Sequence, residues 1–128
     1  MALAFYHNSA GTQPINAANP DSATGAVPQG GTFEDIRQIY LRGQSGRTYK
    51  NVSVTAKSVP ADMTVQYSTS SSGPWNNTLN LSDGTFSTAV GFYRRVRRPN
   101  VQGPFKVPDP GSSVPAIEHE VTFDEYIN

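Results

Sequence analysis

The sequence predicts an all-β protein, an antiparallel β-sandwich with extended N- and C-terminal segments. Short runs of alternating apolar and polar residues recur at spacings of roughly ten, with turn residues between them, a pattern that fits a sandwich or a small barrel. Glycine and proline are common, 11 and 10 of 128 residues, while only 16% of residues are charged. That balance favours a loop-rich β protein over a helical one. No window spaces its apolar residues at three and four, so helix is expected nowhere beyond one short turn at Asp124-Glu125-Tyr126.

The run Phe33 to Arg42 anchors the reading, being the densest stretch of β-branched and aromatic residues. Strand alternation puts Ile39 and Leu41 on one face with Arg37, and Ile36, Gln38 and Tyr40 on the other. Gly43-Gln-Ser-Gly46 ends it as a turn. Before it, Leu3, Phe5 and His7 alternate with Ala4 and Tyr6 and predict a short N-terminal strand. Asn8 to Gly31 shows no hydrophobic period and is thick with turn residues, so it is expected to form a surface arm lying over the domain or on a neighbour. After the anchor, Val52, Val54 and Ala56 alternate with Asn51, Ser53 and Thr55, and Val59-Pro60-Ala61-Asp62 breaks the run. Met63, Val65 and Tyr67 form the next inward set. Ser68 to Ser72 with Gly73-Pro74 reads as a loop, Leu79 and Leu81 as a short apolar pair, and Asp83-Gly84 as a turn.

Val90 to Arg97 is the last strand of the block, with Val90, Phe92, Arg94 and Val96 on one face and Tyr93, Arg95 and Arg97 on the other. Arg94 on an apolar face must sit at the edge of the core or be satisfied there by a carboxylate. Pro99 closes the strand. Prolines at 104, 108, 110 and 115 make 100–116 an extended spacer that is expected to stay outside any sheet. The tail resumes alternation, with Val121, Phe123 and Ile127 on one side and Thr122, Asp124 and Tyr126 on the other. The division expected is therefore 1–31 as N-terminal strand and arm, 32–99 as sandwich core, and 100–128 as spacer and docking C-terminal strand.

A chain of this length suits one domain and can bury a core without covalent staples. There is no cysteine, which excludes disulfides and thiolate metal sites. No apolar run approaches the ~20 residues of a membrane helix, and Met1–Ala10 lacks a basic lead before an apolar block, so a soluble, non-exported protein is expected. Formal charge is zero, but the signs are segregated. Arg94, Arg95, Arg97, Arg98 and Lys106 fall together without an acid, while the last eleven residues hold Glu118, Glu120, Asp124 and Glu125 and no Lys or Arg.

Reaction chemistry is sparse. His7 and His119 have no metal-ligand spacing, and Glu118-His119-Glu120 reads first as a solvated strand edge, because structural zinc takes four N/S ligands. Gly43-Gln-Ser-Gly46 lacks the lysine and helix of a phosphate loop. Ser68 to Ser72 has no base nearby in sequence. Neither catalysis, a cofactor nor a metal is expected. The Phe92–Arg98 run could stack bases between arginines, but zero net charge and the acidic tail argue against nucleic acid. Its plainer reading is a solvated face over Phe92 and Val96, and a third pairs its arginines with acids across a protein interface. Trp75 after Ser-Ser-Gly-Pro reads as packing, with sugar stacking as the alternative function, a carbohydrate-binding module. Asn51-Val-Ser, Asn76-Asn-Thr and Asn80-Leu-Ser fit the glycosylation pattern, as chance allows in so Asn/Ser-rich a chain.

Several stretches together resemble small immunoglobulin-like structural proteins of tailed bacteriophages. They are Leu3-Ala-Phe-Tyr-His-Asn, the loop ending Val27-Pro-Gln-Gly-Gly, Gln38-Ile-Tyr-Leu-Arg-Gly, Tyr49-Lys-Asn-Val-Ser-Val, Gly73-Pro-Trp and Gly91-Phe-Tyr-Arg-Arg-Val-Arg-Arg-Pro. The resemblance covers residues 1 to about 99, with Arg95 and Pro99 nearest the family's strand ending and Arg94, Arg97 and Arg98 departing from it. It implies an immunoglobulin-like sandwich and a non-enzymatic virion component, a capsid decoration protein or a head or tail accessory subunit. Its partners would be other virion proteins and copies of itself, with no membrane and no nucleic acid. The residues expected to meet those partners are Phe5, Tyr6, Arg95, Arg97, Glu118, Glu120, Phe123, Asp124 and Tyr126. The acids are expected to pair with Arg95 and Arg97, within the chain or across subunits.

Overall fold

A computed structural model describes residues 3–27, 32–59, 63–99 and 109–128. Among these the secondary structure is all strand: β1 (Ala4–Tyr6), β2 (Asp21–Val27), β3 (Thr32–Arg42), β4 (Arg47–Ala56), β5 (Thr64–Ser68), β6 (Thr78–Leu81), β7 (Val90–Pro99), β8 (Asp109–Ile117) and β9 (His119–Ile127). The antiparallel sheet β1-β3-β7-β5 packs against the antiparallel sheet β6-β4-β9, and β2 with β8 forms a two-stranded ribbon that runs on through Glu118 into β9. This is the expected β-sandwich. Among the described residues no helix is long and apolar enough to cross a membrane.

The anchor strand behaves as its pattern requires. Ile39 and Leu41 are fully buried while Ile36 remains exposed on the opposite face. Its long pairing with β7 sets Ile39 against Phe92 and Gln38 against Tyr93. The core joins Ile39, Leu41, Val65, Tyr67, Phe92 and Val96 of the first sheet to Tyr49, Val52, Val54 and Leu79 of the second. Each such side chain contributes about 1.5–3 kcal/mol by leaving water.

One departure lies in β4. Strict alternation would put Tyr49 on the face opposite Val52, yet both are buried. Asn51 takes a left-handed conformation (φ 54°), and the pairing with β9 shifts between Lys50 and Ser53. The bulge re-aims the strand by one residue, so that Tyr49 meets Phe86 and Phe123 edge-on. The Asp83 carboxylate accepts from the Asn51 N–H across the turn (3.2 Å).

The arms are where the expectations need most correction. Of the 8–31 arm, expected to lie over the domain or on a neighbour, the described part 8–27 lies on its own domain and is more ordered than a loop: Ile15 N–H donates to the Phe5 carbonyl, His7 N–H to Gln13, and Asp21–Val27 is strand β2. The proline-rich spacer was expected to stay outside any sheet, but Asp109–Ile117 is strand β8, paired to β2. The reason is visible in the register. Pairs run Asp21–Ile117, Ala23–Val114, Gly25–Ser112 and Val27–Asp109, so β8 has an extra residue in each of two places, and Pro115 and Pro110 lie within those two irregularities. A bulge releases the ladder hydrogen bond that proline cannot make. The tail 119–127 docks as β9 on its own domain, with Val121 and Phe123 against the core. The expectations at 28–31, 60–62 and 100–108, including Pro104, Lys106 and Pro108, fall outside the described residues.

Candidate functional site

Five strands converge their polar side chains on one buried point. Arg94 of β7 is fully buried, as is the Asp21 carboxylate at the start of β2. The guanidinium donates through Nε to Asp21 Oδ2 (2.7 Å) and through Nη2 to Asp21 Oδ1 (2.8 Å), a bidentate pair. Nη2 also donates to the Ser22 carbonyl (3.1 Å), and Nη1 to the Asp35 carbonyl (3.0 Å) and carboxylate of β3. All five donors of the guanidinium are thus used. Arg37 of β3 adds a second cation 3.6 Å from Asp21 Oδ1.

The network continues across the sandwich. The His119 Nε2–H of β9 donates to Asp21 Oδ2 (2.8 Å), since an ionised carboxylate only accepts. On the other side of the ring, Nδ1 lies 2.6 Å from the Tyr67 hydroxyl of β5. The His119 side chain is only 1% exposed and Tyr67 not at all. Phe5 packs on the imidazole at 5.6 Å and Tyr67 edge-on at 5.5 Å.

Burial alone would raise the Asp21 pKa, but the hydrogen bonds from Arg94 and His119 and their charges more than offset it, leaving the carboxyl well below its usual range. Burial likewise would lower Arg94, and the Asp21 and Asp35 carboxylates turn that into a net rise. Burial first, and then the Asp21 charge, pushes the Tyr67 phenol upward. Asp21 and Arg94 are therefore held charged by one another, and Tyr67 is held neutral. A cleft of about 220 Å³ between Ile15, Pro20 and Lys57 reaches His119 from outside, but both ring nitrogens face inward partners. Chemically this arrangement holds two layers together.

The outward face of β1-β3-β7-β5 is of another kind. Across it Tyr6 lies beside Tyr40, Gln38 beside Tyr93, Ile36 and Gln66 beside Arg95, and Glu34 beside Arg97. Gly91 opposite Tyr40 leaves the room that ring needs, since a Cβ there would meet Tyr40 at 3.0 Å. The Arg95 guanidinium stacks on Trp75 at 4.8 Å and donates to Gln66 Oε1 (2.7 Å). It covers one face of the tryptophan, the surface a stacked sugar would use. One oxygen of Glu34 serves both arginines, 3.2 Å from Arg97 Nε and 3.9 Å from Arg95 Nη1. Arg97 Nε is close to that oxygen but does not point at it, and Arg95 Nε is buried with no acceptor. Burial lowers the Arg95 pKa, and the Arg97 charge lowers it further.

The residues expected to meet partners are spread by the fold over three places. Tyr6, Arg95 and Arg97 share the outer face of the first sheet. Phe5 and Phe123 pack against the core. Glu120, Asp124 and Tyr126 lie on the outer face of β6-β4-β9, beside Thr55, Lys50 and Thr48, with Glu118 at the entry to β9. Within the chain Arg95 and Arg97 pair with Glu34, Asp124 accepts from Asn51 (2.8 Å), and Glu125 lies 3.9 Å from Arg47. The tail acids thus do not meet Arg95 or Arg97 in their own subunit.

Asp21, Asp35, Tyr67 and His119 were not singled out as a group by the sequence. A signal existed for two of them: Tyr67 alternates in phase with Val65, and His119 with Val121 and Phe123, which puts both on apolar faces. Comparison with known proteins finds no matching family model, no matching curated relative and no matching solved structure.

Proposed function

We propose that this chain is a non-catalytic structural subunit of a tailed-bacteriophage particle, an immunoglobulin-like decoration protein or head or tail accessory subunit that works through protein–protein contacts. The observation that carries the reading is the closure of the buried network. The acid, histidine, phenol and guanidinium that could serve a reaction are 0–1% exposed and consumed in joining β2, β3, β5, β7 and β9. What the domain offers outward is a stiff sheet face rich in tyrosine, tryptophan and arginine, the residue types that supply most energy at protein interfaces. The resemblance in residues 1 to about 99 supports a virion as the place, with many symmetric copies.

The test is addition of the purified chain to particles stripped of their accessory proteins, followed by gradient sedimentation. The expected result is saturable co-sedimentation. Failure to bind any stripped particle would overturn the reading, as would a saturable change in Trp75 fluorescence on glycan titration.

A further inference from the structure

We propose that copies of this chain associate head to tail, the Arg95–Arg97 face of one copy receiving Glu118 and Glu120 of the next. This deepens the structural-subunit reading and rests on it for its setting. Unmatched charge stands on two opposite surfaces of the sandwich. On the first sheet two guanidiniums share a single Glu34 oxygen, and two of their N–H donors have no acceptor. On the second, Glu118 and Glu120 are exposed and neither is in an ion pair among the described residues, although Lys57 lies opposite Glu118, its N–H donating to the Glu118 carbonyl (2.9 Å).

The two sets cannot meet within one copy. Arg95 and Arg97 point away from the core on one sheet, Glu120 points away on the other, and sheets in a sandwich lie ~10 Å apart. Direct pairing of the two sets is therefore a contact between copies, and because they lie on opposite surfaces it is heterologous, giving rings if the rotation closes and filaments if it does not. A net charge of zero means that copies do not repel at long range, so segregated signs attract in one orientation. Apolar area accompanies the charges: Ile36 is 39% exposed on the receiving face and Tyr126 50% on the donating one. Strands of 3, 11, 10 and 5 residues project roughly 470 Å² of flat surface at ~3.4 Å per residue and ~4.8 Å between strands, the scale of a small interface beside the ~800 Å² per partner of a standard one.

Sedimentation equilibrium over a range of concentrations, at about 20 mM and about 500 mM salt, tests this. The wild type should associate at low salt and weaken roughly tenfold or more at high salt. Arg97→Glu and Glu120→Lys should each stay monomeric alone, and mixing the two should restore association, because each supplies the charge that the other now lacks. Far-ultraviolet circular dichroism checks that each is folded, and Arg97→Gln, expected to weaken without reversing the charge, stands in should Arg97→Glu fail to fold. Association indifferent to salt, or a mixture that stays monomeric, would sink the proposal. So would saturable binding of a single-stranded oligonucleotide that Arg97→Gln abolishes. A chain that is monomeric yet binds stripped particles overturns this inference and leaves the subunit reading standing. One that associates but binds no particle does the reverse.

Discussion

Arg94 and Arg95 are neighbours in β7, yet they live under opposite conditions. Strand alternation sends Arg94 into the sandwich, where five hydrogen bonds and two carboxylates surround it. Arg95 points outward, 17% exposed, with one hydrogen bond, one aromatic ring and half of a shared carboxylate. The first is raised in pKa by its partners and the second lowered by burial and by Arg97. A buried charge demands complete satisfaction, because an uncompensated one is far costlier than an exposed one. The inner face therefore uses its arginine to fix the fold, and the outer face keeps spare donors for something else.

The largest expected effect comes from breaking the inner pair. Asp21→Ala should cost about 3–5 kcal/mol in denaturant unfolding, because it leaves Arg94 buried and half-paired. Arg94→Ala should cost a similar amount, and the double variant much less than the sum. A strictly additive pair would contradict the network. Asp21 also makes the pair sensitive to acid. Its folded pKa lies below the ordinary 3.8, so its contribution is complete above that value and is lost as pH falls through it. Wild-type stability should therefore drop more steeply below about pH 4 than that of Asp21→Asn.

Next is Tyr67→Phe, which removes the hydroxyl facing His119 Nδ1. About 1–3 kcal/mol of destabilisation is expected for the unsatisfied nitrogen. The raised Tyr67 pKa predicts the opposite pH limb: stability is full below the ordinary 10.0 and is lost as pH rises past it, and Tyr67→Phe should flatten this loss. On the outer face, Arg95→Ala should cost only ~0.5–1 kcal/mol, the worth of an exposed cation–π contact, and shift the emission of the single tryptophan. Smallest is Arg97→Ala, whose partly exposed pair with Glu34 predicts a stability change within about 0.5 kcal/mol. A loss from Arg97→Ala as large as that from Asp21→Ala would erase the distinction between the faces.

The strands of the sandwich were legible because burial on one face writes a period of two into the chain. Phe33–Arg42, Met63–Tyr67, Val90–Arg97 and Val121–Phe123 all carry it. The need for a carboxylate at Arg94 was legible for the same reason. Its identity was not. Asp21 is 73 residues away, on a strand whose sequence Asp-Ser-Ala-Thr-Gly-Ala-Val shows no alternation. β8 was hidden by its prolines, which only its bulged pairing with β2 accommodates.

Alternation by itself determined that this chain forms strands, which side chains face inward, and that one arginine would be among them. Only the tertiary structure decided which acid meets that arginine, that the arms also supply β2 and β8, that the expected tail strand docks on β4 of its own domain, and that the tail acids lie on the surface opposite Arg95 and Arg97. The physical reason is range. A strand's period is set by neighbouring residues, whereas ion pairs and strand pairings depend on which distant segments the core brings together.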